Sequence, residues 1–514
     1  MKEENYYLKV SRYSDLEDKN ERILYRFLEM LTGLISWSVL ISAILCSYFY
    51  PLVAACVIVV YAVYWFFRSI YFSIHLRSGY AKMKKSEKTD WLAKLKELDP
   101  VDIYHLVVIP TYDESEQILR NTIQSIVKND YPLDKIILVL AFEERAGGDA
   151  VQKANNLKQE FDSRFFKVLT TFHPKDIPGE IAGKSSNEAW ATKVAKKEVI
   201  DKLNIPYEDI ILTSLDSDTI VYPKYFSCLT YLYRTVDNPT RSSFQPVPLY
   251  INNIWEASPV SRIFAFSSTF WHTINQERPE KLVTFSSHSM SFQALIDIDF
   301  KQTNVVSEDS RVFWQCFLKY DGDYKTVPMY YPVSMDANAA PTIIQTAANI
   351  YKQTRRWAYG VENIPYFIFG FIKNKNIPMS KKVPMFIEMI EGKVSWAVAP
   401  TLIFLLGWLP FLLGREDFSQ TVASYSLPLM LSKILTFSMI GLIGSAYLSI
   451  LLLPPRPLEY NRSKILVFAV QWVLVPFTMI FFSALPALDA QTRLMLGKYM
   501  GFWPTPKFRR ALTK

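Results

Sequence analysis

The stretch Ile210–Asp218, IILTSLDSD, is the most informative part of this sequence for its fold class. It begins with a short run of β-branched and apolar residues, which is the pattern of a buried strand. Asp216 and Asp218 follow at once, so both carboxylates are expected just beyond the carboxyl end of that strand. Ligands of open α/β sheets bind at this edge. The stretch therefore predicts an α/β domain with an acidic site at a strand end.

Three further runs have the same character: Tyr104–Ile109, Ile136–Ala141 and Phe165–Thr170. They alternate with helical stretches, which predicts parallel strands joined by crossover helices. This pattern extends from Gly79 to about Ile390.

The composition excludes several classes of protein. Of 514 residues, 50% are apolar, 15% aromatic and 21% charged, which excludes a disordered chain. Four cysteines without CxxC or Cys/His spacing exclude a disulfide scaffold and a zinc site of that kind. The net charge of +8 is scattered and accompanies no nucleic-acid-binding motif, so no nucleic-acid partner is expected.

Long apolar runs flank the α/β region. The first, Leu31–Phe72, is interrupted mainly by Pro51. Because one spanning helix needs about 20 residues, it predicts two helices near 31–49 and 52–73, a transmembrane hairpin over 31–75 after a cytosolic segment 1–30. A cleaved signal peptide would have a shorter apolar core nearer the start.

The apolar runs return near residues 394–413, 427–452 and 465–485. They predict about three helices within 394–488, before a basic tail at 489–514. Aromatic residues followed by lysines over 364–393 suggest interfacial amphipathic helices, with an ordinary domain-edge helix as the alternative.

Orientation follows from lysines and arginines near helix ends. The stretch 77–96 is lysine-rich, so the α/β domain is expected in the cytoplasm, below a multi-pass plasma-membrane region. Three C-terminal spans would put the tail outside, whereas its basic charge favours the cytoplasm. Either the run from 465 re-enters without crossing, or one more span exists.

Asp216 and Asp218 form the strongest chemical motif. Two carboxylates with this spacing can bind Mg²⁺ or Mn²⁺ together with substrate phosphates. Taken alone, such pairs also cap helices and fill turns.

Two more motifs indicate nucleotide binding. Pro110–Glu114, PTYDE, ends the first strand, and its acids can accept hydrogen bonds from a base or ribose. Lys184 begins a helix after Gly183 and suits a diphosphate, although the glycine spacing is not that of a P-loop. The alternatives are a helix cap at Asp113 and a solvated lysine in a loop.

The last two motifs lie further along the chain. Glu308 and Asp309 open a helix, where acids either stabilise its dipole or provide a general base. In Gln353–Trp357, QTRRW, an arginine can hold a leaving phosphate and a tryptophan can stack on a sugar. The alternative for that segment is a membrane-interface anchor.

In this order the motifs resemble those of the processive membrane glycosyltransferases of family 2, which include cellulose, chitin and hyaluronan synthases. The resemblance covers about residues 30–400 and implies a GT-A glycosyltransferase domain over 79–363. The residues that carry it are Asp216 and Asp218 (metal), Glu308 and Asp309 (catalytic), Gln353, Arg356 and Trp357, and Thr111, Asp113, Glu114 and Lys184 (donor).

The resemblance implies a mechanism. Asp216 and Asp218 would hold the metal on the donor diphosphate, and Lys184 and Arg356 would add positive charge there. Asp309 would take the proton of the attacking hydroxyl, and one displacement would invert the anomer. Gln353 and Trp357 would hold the acceptor sugar.

Three departures from the family's pattern affect this hypothesis. Glu143 stands where these enzymes usually have an aspartate near uridine. The loop around His288, which could contact the acceptor or be structural, matches no product-specific signature. The tail Phe502–Lys507 is similar to the gating loop of cellulose synthases, with Pro504 in place of valine.

The leading hypothesis is therefore a polysaccharide synthase that uses a nucleotide-sugar donor, with a UDP-sugar expected, and extrudes its product through the membrane. Few spans are predicted, so a partner subunit or homo-oligomer could complete a channel. The alternatives are transfer of one sugar to a polyprenyl-phosphate or glycolipid, and a non-catalytic receptor or transporter built on the same domain.

Overall fold

The computed structural model describes residues 5–414, 416–461 and 463–509. Within them, eight strands form one mixed sheet in the order β3-β2-β1-β4-β7-β6-β8-β5. The strands are β1 (Tyr104–Pro110), β2 (Ile136–Glu143), β3 (Lys167–His173), β4 (Ile210–Ser214), β5 (Ile220–Val221), β6 (Ser242–Tyr250), β7 (Ser289–Ser291) and β8 (Lys325–Met335).

Nineteen α-helices occur in the described ranges, joined in places by short 3₁₀ or π turns. They are α1 (Lys19–Phe49), α2 (Pro51–Lys88), α3 (Trp91–Lys96), α4 (Glu116–Val127), α5 (Gly148–Phe161), α6 (Lys184–Ala195), α7 (Tyr225–Thr235), α8 (Pro259–Gln276), α9 (Phe292–Asp297), α10 (Glu308–Lys319), α11 (Ile343–Ala358), α12 (Asn363–Lys373), α13 (Met379–Phe404), α14 (Leu409–Leu413), α15 (Glu416–Ser419), α16 (Val422–Leu451), α17 (Ser463–Val470), α18 (Val475–Met479) and α19 (Leu485–Met495).

The parallel half of the sheet, β3-β2-β1-β4, contains the four predicted strands. Val107 of β1 lies between Leu138 of β2 and Thr213 of β4. Helices cover both faces, which is why these strands are nearly continuous apolar runs that can be recognised in the sequence. Their carboxyl ends meet at one edge, where Asp216 and Asp218 follow β4.

The other half of the sheet differs from the prediction of parallel strands. β7 pairs antiparallel with β4 and β6, and β5 pairs antiparallel with β8. Only β6 and β8 are parallel there, with a register shift between Gln245 and Val247. Pro246 lies at that shift and has no N–H to donate. This half of the sheet is difficult to recognise in the sequence, because β6 and β8 contain prolines and because β5 and β7 are short.

The described residues include three helical segments long and apolar enough to cross a membrane: Lys19–Phe49, Pro51–Lys88 and Ser463–Met495. A fourth would be added if Met379–Phe404 and Leu406–Leu413, which meet at a 48° bend, form one span. The first two segments include the predicted hairpin but are longer, because their polar ends pack on the domain. Lys82 Nζ, for example, lies 2.9 Å from Glu277 Oε2.

The aromatic residues at the start of 364–393, which suggested interfacial amphipathic helices, are buried in the domain. Phe367 and Phe369 are fully enclosed, and the rings of Phe367 and Trp314 stack with centroids 4.7 Å apart. Helix α12 therefore packs within the α/β domain, and the interfacial position of 364–393 at a membrane stays a prediction. The next helix, α13, begins only at Met379.

The segment Ser463–Met495 contacts the α/β domain at both ends. Lys464 Nζ donates to the carbonyl of Trp255 at 2.6 Å, and Arg355 Nη1 donates to Asp489 Oδ2 at 2.9 Å. The chain after this segment therefore starts beside the domain. Of the basic tail, residues 510–514 lie outside the described residues.

Candidate active site

The turn after β4 presents both aspartates at the sheet edge. Leu215 N continues the strand pairing by donating to Val108 O at 3.0 Å, and Thr219 N donates to Asp216 O at 2.9 Å. Ser286 Oγ donates to Asp216 Oδ2 at 2.5 Å. Backbone pairing thus positions the turn, and one side-chain hydrogen bond orients Asp216.

Lys184, the first residue of α6, lies at the centre of the site. Its Nζ is 2.8 Å from Asp216 Oδ1, 3.0 Å from Asp309 Oδ2 and 3.7 Å from Glu308 Oε1. Three segments that are far apart in the sequence thus meet at one ammonium group.

The charges of Lys184, Asp216, Glu308 and Asp309 shift one another's pKa values. Burial would lower the pKa of Lys184, but Asp216 and Asp309 raise it well above its usual value. Burial would raise the pKa of Asp309, but Lys184 lowers it. Burial is the main cause that raises the pKa of Glu308 to about 8, and the negative charge of Asp309 is the second. At neutral pH the pair therefore combines an ionised Asp309 with a largely protonated Glu308.

Asp218 is fully buried. Its Oδ2 accepts from Lys507 Nζ at 2.7 Å and from Asp336 N at 3.0 Å. Its Oδ1 is enclosed and has no hydrogen-bond partner, which is costly for a carboxylate oxygen. An enclosed carboxylate oxygen next to Asp216 fits a hard divalent cation.

Protein side chains would not complete the coordination of such a cation. No group of three or more His, Cys, Asp or Glu side chains arranged for a metal occurs in the described residues. Mg²⁺ or Mn²⁺ held by Asp216 and Asp218 would therefore take its other ligands from substrate phosphate and water.

The PTYDE segment forms a compact turn after β1. Glu114 Oε2 accepts from Thr111 Oγ1 at 2.9 Å and from Tyr112 N at 2.7 Å, so its carboxylate holds the turn together. Asp113 is exposed at the surface of the turn.

Glu143 lies at the end of β2 and is 4% exposed. Arg145 Nη2 donates to Glu143 Oε1 at 3.0 Å, and the same guanidinium lies 4.2 Å from the centroid of the Tyr112 ring. Arg145, absent from the sequence prediction, thus connects two of the predicted donor segments. The feature of the sequence that indicates this contact is that Arg145 follows Glu143 by two residues.

The Gln353–Trp357 segment lies at the other side of the site. Gln353 Oε1 accepts from Asn338 Nδ2 at 3.1 Å, and the Trp357 ring stacks on Phe264 at 5.4 Å. Both residues line a small cavity together with Tyr250 of β6, side chains of α8 and side chains of the chain after β8. Arg356 does not reach the carboxylates; its guanidinium lies 4.8 Å from the centroid of the Phe502 ring.

His288 lies beside Asp309 and does not line the cavity of Trp357. Its Nδ1 is 2.9 Å from Phe285 O and 3.6 Å from Asp309 Oδ1. Burial lowers the pKa of His288 to about 3, so the imidazole is neutral. A role of His288 in acceptor binding stays a prediction.

Besides Lys507, two residues that hydrogen-bond the carboxylates of the two aspartates were absent from the predicted site. They are Ser286, which bonds Asp216, and Asp336, whose backbone bonds Asp218 and whose carboxylate accepts from Arg509 Nη2 at 2.7 Å. Asp336 directly follows β8, so inspecting the residue after each strand would have found it if β8 had been recognised.

Comparison with known proteins gives weak likenesses only. No family model matches the sequence, and no curated protein matches it. Among solved structures, the mannosyltransferase PcManGT from Pyrobaculum calidifontis, in complex with GDP-Man and Mn²⁺, is 13% identical with a TM-score of 0.41, covering 83% of this chain and 100% of its own.

Two structures of S. aureus TarS residues 1–349 are also similar. The complex with UDP is 11% identical with a TM-score of 0.34, covering 67% of this chain and 91% of its own. The complex with UDP-GlcNAc is 10% identical with the same TM-score, covering 77% of this chain and 93% of its own. Likenesses of this size do not by themselves establish the fold or function of this chain.

Proposed function

We propose that this protein is an inverting glycosyltransferase of family 2 in the plasma membrane, and that it transfers sugar from a nucleotide-sugar donor to a growing polysaccharide. The observation that carries the proposal is the contact of one ammonium group, Lys184 Nζ, with both Asp216 and Asp309. It joins the residues proposed for the metal, the donor diphosphate and the catalytic base.

The donor is proposed to be a UDP-sugar. Its base would lie near Tyr112, Glu143 and Arg145, and its diphosphate near Lys184, at the start of a helix that favours anions. A divalent cation on Asp216 and Asp218 would offset the negative charge of the departing diphosphate. Arg356, whose guanidinium contacts the Phe502 ring, would add positive charge near the diphosphate.

The transfer step is a single displacement. The acceptor hydroxyl oxygen attacks the anomeric carbon and forms the glycosidic bond, while the bond from that carbon to the phosphate oxygen breaks. The nucleoside diphosphate leaves with the bonding electrons, and the hydroxyl proton passes to Asp309. Lys184 keeps Asp309 ionised before the step, and neutral Glu308 limits the negative charge beside it.

The terminal sugar of the acceptor is proposed to bind on the side of the site that Gln353 and Trp357 form, because a flat aromatic side chain suits a sugar ring. Helix α11, which carries both residues, also contacts the apolar segment Ser463–Met495 through Arg355 and Asp489. This contact supports an acceptor held close to the membrane. The lysine-rich stretch 77–96 supports a cytoplasmic domain, and a partner subunit or homo-oligomer would widen the path for a polymer.

The test is transfer of radiolabelled sugar by the purified protein in lipid vesicles, with Mg²⁺ or Mn²⁺ and a panel of nucleotide sugars. We expect long, metal-dependent products from the unchanged protein. Asp309→Asn should retain nucleotide binding and lose transfer. The matched control is Asp162→Asn, which removes an exposed carboxylate and should leave transfer unchanged.

The size of the product separates the proposal from its alternative. Products that carry one sugar and extract with lipid would instead establish single addition to a polyprenyl-phosphate or glycolipid. Full transfer by Asp309→Asn would remove that residue from the role of base.

A further inference from the structure

A buried ion pair that the proposed reaction does not use lies next to Lys184. Lys301 Nζ is 2.5 Å from Glu188 Oε2, and Lys301 and Glu188 are 4% and 2% exposed. The same small space is lined by the apolar side chains of Val108, Leu212 and Leu295. Because charges are expensive to bury in apolar surroundings, a pair in this position calls for a physical reason.

Glu188 connects the pair to Lys184. It follows Lys184 by four residues in α6, so the two side chains lie on the same face of the helix. Its Oε1 is 3.9 Å from Lys184 Nζ and accepts a hydrogen bond from Ser214 Oγ at the end of β4, while its Oε2 binds Lys301. The carboxylate of Glu188 is therefore held by Ser214 and Lys301, with one oxygen next to Lys184.

The backbone before Lys301 has an unusual conformation. Asp299 and Phe300 have φ angles of 57° and 68°, which residues other than glycine rarely adopt. Directly after Lys301, the carbonyl of Gln302 accepts a hydrogen bond from Ser185 Oγ in the first turn of α6. Backbone strain of this kind persists where the surrounding structure enforces it, often at functional sites. Here it accompanies a lysine that is turned into the interior.

Three carboxylates compete for the ammonium group of Lys184. Its Nζ is 2.8 Å from Asp216 and 3.0 Å from Asp309, but 3.9 Å from Glu188. In the described chain, Lys301 is the other cation that forms an ion pair with Glu188. Its charge weakens the attraction between Glu188 and Lys184. Without Lys301, Glu188 would be a buried carboxylate with Lys184 as its remaining cation, and a buried charge without its partner is strongly destabilising.

We propose that Glu188 and Lys301 are a positioning pair for the transfer reaction. Lys301 binds Glu188, so that Lys184 stays between Asp216 and Asp309 and does not turn to Glu188. Neither member of the pair contacts the donor or the acceptor, because both act through Lys184. The proposal rests on the function proposed above, in which Lys184 binds the donor diphosphate.

The first test measures transfer by the full-length protein in lipid vesicles. Lys301→Met removes the ammonium and keeps an unbranched side chain. We expect its turnover number to fall about tenfold and its donor KM to rise, because Lys184 turns to Glu188 and loses a hydrogen bond to a charged group. The double variant Glu188→Gln/Lys301→Met no longer has the carboxylate that attracts Lys184. It should recover most of the lost turnover.

An exposed ion pair provides the matched control. Lys202 Nζ lies 2.5 Å from Glu198 Oε2, and the side chains are 62% and 43% exposed. Lys202→Met and Glu198→Gln/Lys202→Met should both leave the turnover number and the donor KM unchanged. Thermal melting of each variant measures its stability. A purely structural role of Lys301 would lower the amount of folded protein without changing the donor KM.

A structure of Lys301→Met provides a readout that does not require transfer. We expect Lys184 Nζ to lie within hydrogen-bond distance of Glu188 Oε1 and no longer of Asp309. If the unchanged protein transfers no sugar, the proposed function fails, and the position of Lys184 in the variant still decides whether the pair positions it.

Ser214→Ala serves if Lys301→Met does not fold. It removes the hydrogen bond to Glu188 Oε1, the oxygen next to Lys184, and leaves both charges in place. Transfer should fall about fivefold, the usual contribution of one hydrogen bond, and adding Glu188→Gln should restore it.

Three results would overturn the proposal. An unchanged turnover number and donor KM in folded Lys301→Met would show that Lys301 does not act on Lys184. A double variant no more active than Lys301→Met would show that attraction to Glu188 is not the cause of the loss. Lys184 still bound to Asp216 and Asp309 in the structure of Lys301→Met would leave the pair a purely structural role.

Discussion

Lys507 Nζ lies 2.7 Å from Asp218 Oδ2, although the two residues are separated by 289 positions. The C-terminal segment thereby places an ammonium group on a proposed metal ligand. The same segment packs Phe502 so closely on Gly183 that a Cβ at residue 183 would come within 2.7 Å of it. In this arrangement the tail covers the proposed donor site.

The first prediction concerns metal affinity. Because the Lys507 ammonium and a divalent cation compete for Asp218, Lys507→Gln should bind Mn²⁺ about tenfold more tightly in the absence of nucleotide. Paramagnetic resonance of free Mn²⁺ measures this affinity. Lys498→Gln, at an exposed lysine of the same tail, is the control, and unchanged affinity in Lys507→Gln would show that the ammonium does not compete.

The second prediction concerns Lys184. Lys184→Met should lower the turnover number about 10² to 10³-fold, the usual cost of losing one charge-stabilising donor at a reacting centre. Asp216 and Asp309 would then face each other without a compensating charge. Single-turnover transfer measures the effect, with exposed Lys197→Met as the control. Transfer within threefold of the unchanged protein would contradict the role.

The third prediction concerns the pH profile of transfer. The pKa of Glu308 is raised to about 8, so its carboxyl is protonated below that pH and ionised above it. Ionisation adds negative charge beside Asp309 and the diphosphate, so transfer should decline as pH rises through about 8. Glu308→Gln keeps a neutral side chain, should retain most activity at pH 7, and should lose this decline. An identical decline in the variant would assign it to another group.

The fourth prediction concerns acid stability. His105 is fully buried, and its Nε2 lies 2.8 Å from Thr230 Oγ1. Burial lowers its pKa from 6.5 to about 3, so below pH 6.5 the unfolded chain takes up a proton that the folded protein does not. Stability from this residue is therefore complete above pH 6.5 and is lost as pH falls toward 3. At pH 5 the loss is about 2 kcal/mol.

The variant for this test is His105→Gln, which cannot take up that proton. Its melting temperature should fall less between pH 7.5 and pH 5 than that of the unchanged protein. His75→Gln, in α2, serves as the histidine control and should keep the full acid sensitivity. Equal acid sensitivity in His105→Gln and the unchanged protein would contradict the prediction.

Much of the fold could be predicted because its determinants are local. The runs at β1–β4 are apolar and continuous, since helices cover both faces of that half of the sheet. The half that contains β6 and β8 was not predicted, because its prolines and its antiparallel pairing with β7 depend on partners far along the chain.

The apolar helices, the parallel strands and the order of the acidic and basic motifs could be read from the sequence, because spacing along the chain encodes each of them. Which charges meet depends on how the chain folds. Lys184 contacts Asp216 and Asp309, Lys507 contacts Asp218, and Lys301 contacts Glu188. The energy of a buried charge depends on atoms within a few ångströms, and distance along the sequence does not specify those atoms.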